Sequence, residues 1–341
     1  MINTEYPAWS DGKEKNVKKF LLAGLMILTT CTLLIAGGRK EQNEAENPGR
    51  SVKVAVLNGP SGVGMIQLME NPPMQDKNIR VETIAVSAPK VLLGQLIKEE
   101  WDFAALPASM AAILYNKGLP YKMAAVTGLG NLYLIADKSY GELSMKDLQD
   151  KKIYIPGKNT TPDLIMQLLC DKNKVDIGYD YSFNPNDLAK ALIAKIADIA
   201  VLPEPMASLA LSKNPNLMVA ADLQNLWEES YPDKSLFPIT VMVVNAAFEE
   251  NNPILTREIM MASEDSINWV CENPADASVL IGKHGFMLPP AVVEKSIPRS
   301  NFSFLTAEEA MASADPYYTE VYRINPASIG GKIPDEGFYL K

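Results

Sequence analysis

Histidine is almost missing from this chain: one, His284, in 341 residues. A Ser/His/Asp triad or a His-ligated metal centre would hang on that single imidazole. Its place beside Gly285 reads instead as the end of a helix. No catalytic residue, no metal and no cofactor is therefore expected. Cysteine is scarce as well, with three in all. Cys31 lies in an apolar run, while Cys170 and Cys271 fall in helix-like segments and read as buried free thiols rather than a disulfide framework. Basic residues form no stripe after position 50, and the net charge is −9, which argues against a nucleic-acid partner. Low-complexity tracts are lacking too. With 47% hydrophobic and 21% charged residues the chain reads as globular over most of its length, and a monomer is expected.

One long apolar run is present. Lys13, Lys15, Lys18 and Lys19 precede FLLAGLMILTTCTLLIA, uncharged from Phe20 to Ala36, after which GGRKEQNEAENPGR turns polar. Residues 1–38 are expected to be an export signal or membrane anchor, and residues 39–50 a disordered tether. The run is shorter than the about 20 residues usual for a spanning helix. Three fates stay open: lipid attachment at Cys31, an uncleaved anchor, or cleavage near Gly37 or Gly38. In each, the remaining chain works outside the cytoplasmic membrane.

The chain also says one thing twice. DFAALPAS begins at Asp102 and DIAVLPEP at Asp198, and aligning them sets LPASMAAILYNKGLP over LPEPMASLALSKNPN. Upstream, PKVLLGQLIKEEWD and PNDLAKALIAKIAD both read as Pro-started helices ending at a strand-opening Asp. Further back, KVAVLNGPSGVG and KIYIPGKNTTPD are each a strand, a Gly-containing loop and a helix start. Downstream, YKMAAV and NLMVAA correspond, each followed by a second apolar run, LYLIAD or ITVMVV. Alternating strands and helices predict two α/β lobes, each a mostly parallel sheet flanked by helices. Residues 51–135 plus 241–341 are assigned to one lobe and 136–240 to the other. The C-terminal third adds segments with no counterpart in the repeat, among them a helix capped at Thr306 with Glu309 three residues on.

In open α/β sheets ligands sit beyond the carboxyl ends of strands, beside helix N-termini. Two facing lobes then line one cleft with the loops that follow Leu57, Leu106, Ile155 and Leu202. The candidate ligand-binding residues are Asn58, Gly59 and Ser61, Pro107, Asn159, Thr160 and Thr161, and Glu204, with Tyr133 as a cleft aromatic. GPSGVGM has glycines at P-loop spacing, but Met65 stands where the phosphate-binding Lys would be. Met65, Met69, Met110 and Met206 read as core, and Trp101 as lobe packing.

The order of GPSGVGM, DFAALPASMAAILYNKG, DLQDKKIYIPGKNTTPD, DIAVLPEPMASLAL and NPASIGGKIPDEGFYLK resembles the solute-binding proteins of nitrate, taurine and thiamine-precursor type ABC importers. The resemblance spans positions 51–341, and its more specific parts are DLQDKKIYIPGK and VLPEP. It implies a two-lobed periplasmic-binding-protein type II fold that closes on a small molecule and delivers it to a membrane permease. Relatives commonly carry a Cys just after the apolar run, where this chain reads LLIAGGRK. The alternative is an enzyme or a sensor ectodomain on the same fold. Against the enzyme, the Cys-rich motif and active-site His of related pyrimidine synthases have no counterpart here.

For the ligand, six arginines occur and none lies in the cleft loops, although a bidentate Arg is a common way to hold a sulfonate or carboxylate. Tyr133 and Glu204 would suit a thiamine-precursor-like pyrimidine or similar heterocycle through stacking and a carboxylate hydrogen bond. Helix N-termini near Ser61 and Thr161, with Lys158, would suit a sulfonate, nitrate or other small anion. Because the polar tether separates the apolar run from the repeats, a chain beginning at Ser51 should be soluble and melt cooperatively. A molten or insoluble product would make the first 50 residues part of the fold.

Overall fold

Short apolar runs bounded by Pro, Asp or Gly supply the strands, and their neighbours in space separate them into two sheets. The computed structural model describes residues 51–74, 79–232, 237–286 and 288–341. The expected anchor, the tether and Cys31 lie outside the described residues. The first sheet has the order β11-β4-β10-β3-β1-β2, with β1 Ser51–Leu57, β2 Arg80–Val86, β3 Phe103–Pro107, β4 Tyr121–Leu129, β10 Pro238–Asn245 and β11 Phe302–Thr306. The second has the order β7-β6-β8-β5-β9, with β5 Leu132–Asp137, β6 Lys152–Tyr154, β7 Gly178–Asp180, β8 Ile199–Pro203 and β9 Leu217–Asp222.

Each sheet is parallel where the repeat reads strand, helix, strand: β1 runs parallel to β2 and β3, and β6 parallel to β7 and β8. Parallel strands are covered on both faces, so their sequences run apolar without alternation. Val54, Ala55 and Val56 of β1 are accordingly all buried. The crossover helices Pro89–Ile97 and Pro185–Ile193 both begin on Pro, as expected, because the first-turn N–H has no intrahelical partner to lose. Asn184 caps the second of them by accepting from the Asp187 N–H at 3.0 Å. The capping box at Thr306 is present: its N–H donates to Glu309 Oε2 at 2.9 Å and its hydroxyl accepts from the Glu309 N–H at 3.4 Å.

The last strand of each repeat does not stay with its own sheet. β5, the LYLIAD run, inserts antiparallel between β8 and β9. β10, the ITVMVV run, inserts antiparallel between β3 and β4. Each sheet is thus completed by a strand from the other half of the chain, and the two sheets match strand for strand, with β11 as the extra edge.

The chain crosses between the sheets at Gly130–Asn131 and returns after β9 through the helix Leu223–Ser230. A Cβ on Gly130 would lie 2.4 Å from Gln224 Oε1 and 2.9 Å from Phe237, so only glycine fits this crossing. Trp227 is wholly buried beside it, stacked on Tyr231 with ring centroids 4.3 Å apart and edge-on to Phe237 at 5.4 Å.

Met65, Met206 and Trp101 are buried, and Met69 and Met110 pack partly buried on the core. Cys170 and Cys271 are both free. Burial holds for Cys170, whose thiol is pushed up to about 11 by desolvation. It does not hold for Cys271, which lies exposed on the long helix Pro253–Glu272. Among the described residues no helix is long and apolar enough to cross a membrane. Trp227→Ala should cost about 3–5 kcal/mol in denaturant unfolding, the range for emptying a buried aromatic site. A loss under about 1 kcal/mol would show that the crossing does not depend on this stack.

Candidate functional site

Strand ends and helix starts meet at one cavity between the sheets. It has a volume of about 560 Å³ and is walled by Leu57–Pro60, Ser87 and Pro89 from the first-sheet side, Pro185, Asn186 and Pro203–Met206 from the second, and Leu288. Four helices begin there: Pro60–Gly64, Pro89–Ile97, Pro185–Ile193 and Met206–Lys213. None of the four carries a basic residue among these lining positions. Prolines fix the backbone entering three of the helices. First-turn N–H groups are bonded locally, Gly62 to Gly59 O, Val91 to Ala88 O, Asp187 to Asn184 Oδ1 and Ser208 to Glu204 Oε2, so what these helices bring to the cavity is their dipole. Each N-terminus behaves as roughly half a positive charge. Leu57, Met206, Leu288 and the prolines make much of the lining apolar, Asn58, Ser87, Asn186 and Glu204 are its polar members, and the helix ends give the backbone around it a positive sign.

Glu204 is the one charged side chain in this wall, and it is not open to solvent. Its Oε1 accepts from Arg299 Nε at 2.7 Å and from the Ser208 hydroxyl at 3.0 Å, and its Oε2 accepts from the Ser208 N–H at 3.0 Å. The Arg299 Nη2 also donates to the Ser208 hydroxyl. The Arg299 side chain is 35% exposed and that of Glu204 0%. The surrounding backbone is joined in the same place: Tyr133 donates its hydroxyl proton to the Arg299 carbonyl at 2.7 Å, the Glu204 N–H donates to Asn131 O at 3.1 Å, and Leu129 N–H donates to Asn301 O at 3.0 Å.

Of the residues expected from sequence, the structure brings Asn58, Gly59 and Glu204 to the cavity. The others lie elsewhere, each for a visible reason. The buried Ser61 hydroxyl turns back to accept from the Leu57 N–H at 3.1 Å. Pro107, at the end of β3, is paired with Thr240 of β10. Tyr133 is 4% exposed rather than presented as a cleft aromatic, and burial raises its hydroxyl pKa well above the ordinary value. Asn159 has a left-handed φ of 61°. Its N–H donates to Asp163 Oδ2 at 2.7 Å and its Oδ1 accepts from Asn325 at 2.8 Å. The Thr160 hydroxyl donates to Gly157 O at 2.7 Å, and Thr161 opens the helix Thr161–Asn173. That loop is occupied with the end of the helix Ala307–Ile324 and does not line the cavity.

Arg299 is the residue that sequence reading missed. It sits 95 positions from Glu204, in IPRS, where no spacing marks it. Its scarcity was the available signal, since six arginines make each one worth placing. His284 caps the helix Pro274–Lys283 and meets Glu70 Oε2 at 2.8 Å. Hydrogen bonds from Lys283 and His284 hold the Glu70 carboxyl below its usual range. Among the described residues no His, Cys, Asp and Glu gather in a group able to hold a metal.

Three solved structures can be set beside this geometry. An ABC transporter from Parabacteroides distasonis is 30% identical, covering 85% of this chain and 99% of that one, with a TM-score of 0.75. The periplasmic aliphatic sulphonate binding protein SsuA from Escherichia coli is 12% identical over 86% of this chain and 92% of its own, with a TM-score of 0.70. The periplasmic nitrate-binding protein NrtA from Synechocystis is 12% identical over 84% and 83%, with a TM-score of 0.57. The two distant likenesses show the fold, the two-lobed periplasmic-binding-protein type II architecture that the resemblance implied. No protein-family model matches the chain, and no curated protein matches it by sequence.

The burial of Glu204 makes its carboxylate part of what holds the unliganded protein together. Removing one partner of a buried ion pair strands the other; here half-exposed Arg299 recovers some hydration, so Glu204→Ala should cost about 1–3 kcal/mol in apo melts. An unchanged apo melting temperature would mean that the pair contributes nothing to the fold.

Proposed function

The chain belongs to the ABC-importer solute-binding proteins of the nitrate, taurine and thiamine-precursor type, and from that premise we propose that it captures a small organic anion of the sulfonate kind between its lobes and hands it to a membrane permease. The observation that carries this reading is the meeting of four helix N-termini on a cavity lined by no basic side chain. Backbone dipoles of this sort hold a compact negative head without a dedicated Arg or Lys. Apolar walls from Leu57, Met206, Leu288 and the prolines suit a short aliphatic body behind that head. Two structural neighbours are named for a sulphonate and for nitrate, which supports the same sign of charge.

A pyrimidine ligand loses the two groups that recommended it. The Glu204 carboxylate is taken by Arg299 and Ser208, and the Tyr133 ring is buried with its hydroxyl spent on the Arg299 carbonyl. Asn58 and Gly59 are the binding residues retained in this proposal; Glu204 stands in the wall with its carboxylate bonded to Arg299 and Ser208 and not to the ligand.

We place the lobes at 51–130 plus 238–341 and at 131–230, moved from the bounds expected from sequence so that β5 and β10 each stay whole in their own sheet, closing over the cavity, with the N-terminal segment tethering the protein outside the cytoplasmic membrane. A ligand that touches both walls stabilises the closed form by its second set of contacts, whereas one that touches a single lobe does not. Delivery to a permease would read that closure.

Melting scans in the presence of ethanesulfonate, taurine, nitrate and an aminomethylpyrimidine test the ligand class. A sulfonate at a hundred times its Kd should add about 2.7 kcal/mol of apparent stability, with the pyrimidine, whose aminomethyl group is cationic at neutral pH, inert. Binding of the pyrimidine alone would overturn the anion reading.

A further inference from the structure

A carboxylate in the wall of a cavity that takes an anion is an electrostatic contradiction unless something cancels it. Glu204 stands in that wall with no exposed side-chain surface, so solvent does not screen it. We propose that Arg299 is the residue that sets the sign of charge the cavity accepts, by masking Glu204. The proposal rests on the small-anion reading and names a specificity-determining residue within it.

Four observations converge on this role. Glu204 is the only ionisable side chain among the lining residues, so the side-chain charge of the cavity is −1 without Arg299 and zero with it. In the zero state the helix N-termini alone decide the sign, and they are positive. The mask is built rather than incidental: Arg299 Nε bonds Glu204 Oε1 at 2.7 Å, and the Ser208 hydroxyl bridges Arg299 Nη2 and Oε1. Arg299 is also held by something other than the ligand, since its carbonyl accepts the Tyr133 hydroxyl at 2.7 Å and the next residues bond across to Leu129 and Gly130. Finally, Arg299 is not itself among the lining residues. It acts through Glu204 and is a positioning residue. The other ionisable groups that face the pair are Tyr133, neutral because burial raises its pKa, and beyond it Asp222, whose carboxyl burial pushes above its usual range.

The test compares Arg299→Gln, Glu204→Gln and the two together, each titrated with ethanesulfonate and with ethylammonium, which has a compact aliphatic body of similar size and the opposite charge. Masking predicts that Arg299→Gln weakens ethanesulfonate about tenfold or more and admits ethylammonium. The paired variant, with neither charge present, should bind ethanesulfonate to within about threefold of the native protein. If Arg299 were a direct anion anchor, the paired variant would stay weak, and the proposal would be wrong. If Arg299 were merely structural, Arg299→Gln would melt earlier with the ratio of the two affinities unchanged, which would also overturn it.

Should the native protein bind no sulfonate, the small-anion reading fails, and masking is then read from melting alone. Without Arg299 the Glu204 carboxylate is a buried charge that has lost its ion-pair partner, which costs more than losing both partners together. Arg299→Gln should therefore melt earlier than the paired variant. Equal melting of the two would sink the masking role.

Discussion

The structure depends on an exchange of strands. β10 lies between β3 and β4, and Val241, Met242, Val243 and Val244 are wholly buried there. β5 does the same for the other sheet, between β8 and β9. An interior strand must satisfy hydrogen bonds on both edges, and with no water available to either edge its absence would leave two strands unpaired. Neither repeat can therefore complete its sheet without the other. The exchange also joins the sheets at Gly130–Asn131 and again after β9, which brings the strand ends of both to one cavity.

The cavity shows how a site can be electropositive without basic side chains of its own. Its prolines sit where a helix has no N–H bond to lose, so the backbone is held rigid at no cost in hydrogen bonds. The dipoles of the helices behind them supply the field. That field is fragile beside a buried carboxylate, since interactions between charges strengthen as water is removed. The Glu204–Arg299 pair answers the problem by bringing a cation from a segment next to β11 to the end of β8. Because the Arg299 carbonyl accepts from Tyr133 and the Glu204 N–H donates to Asn131 O, the same contact ties the site to the crossing.

Several side chains that looked like site residues are instead what keeps the loops in shape. Asn159, Thr160 and Ser61 spend their hydrogen bonds within a few residues or, for Asn159, also on Asn325. Short polar side chains at helix starts do this readily, since the backbone there offers unpaired groups close by. A polar residue after a strand is thus as well suited to finishing its own turn as to meeting a ligand. Only its partners distinguish the two.

Much of the architecture was legible from the chain. The repeated Asp-apolar-Pro runs marked β3 and β8, Pro89 and Pro185 marked the helix starts, and Thr306 with Glu309 marked the last long helix, because these signals act over a few residues and need no distant partner. The scarcity of histidine and cysteine likewise bounded the chemistry before any fold was known. What only the tertiary structure decided lies at longer range. LYLIAD and ITVMVV are apolar runs that fit the interior of either sheet, so hydropathy could not say which sheet each would complete. Glu204 read as a ligand carboxylate until Arg299, 95 residues away, proved to be its partner. Local sequence carries propensity and capping, whereas the pairing of a buried charge is settled by which distant segments the packed sheets bring within 3 Å of one another.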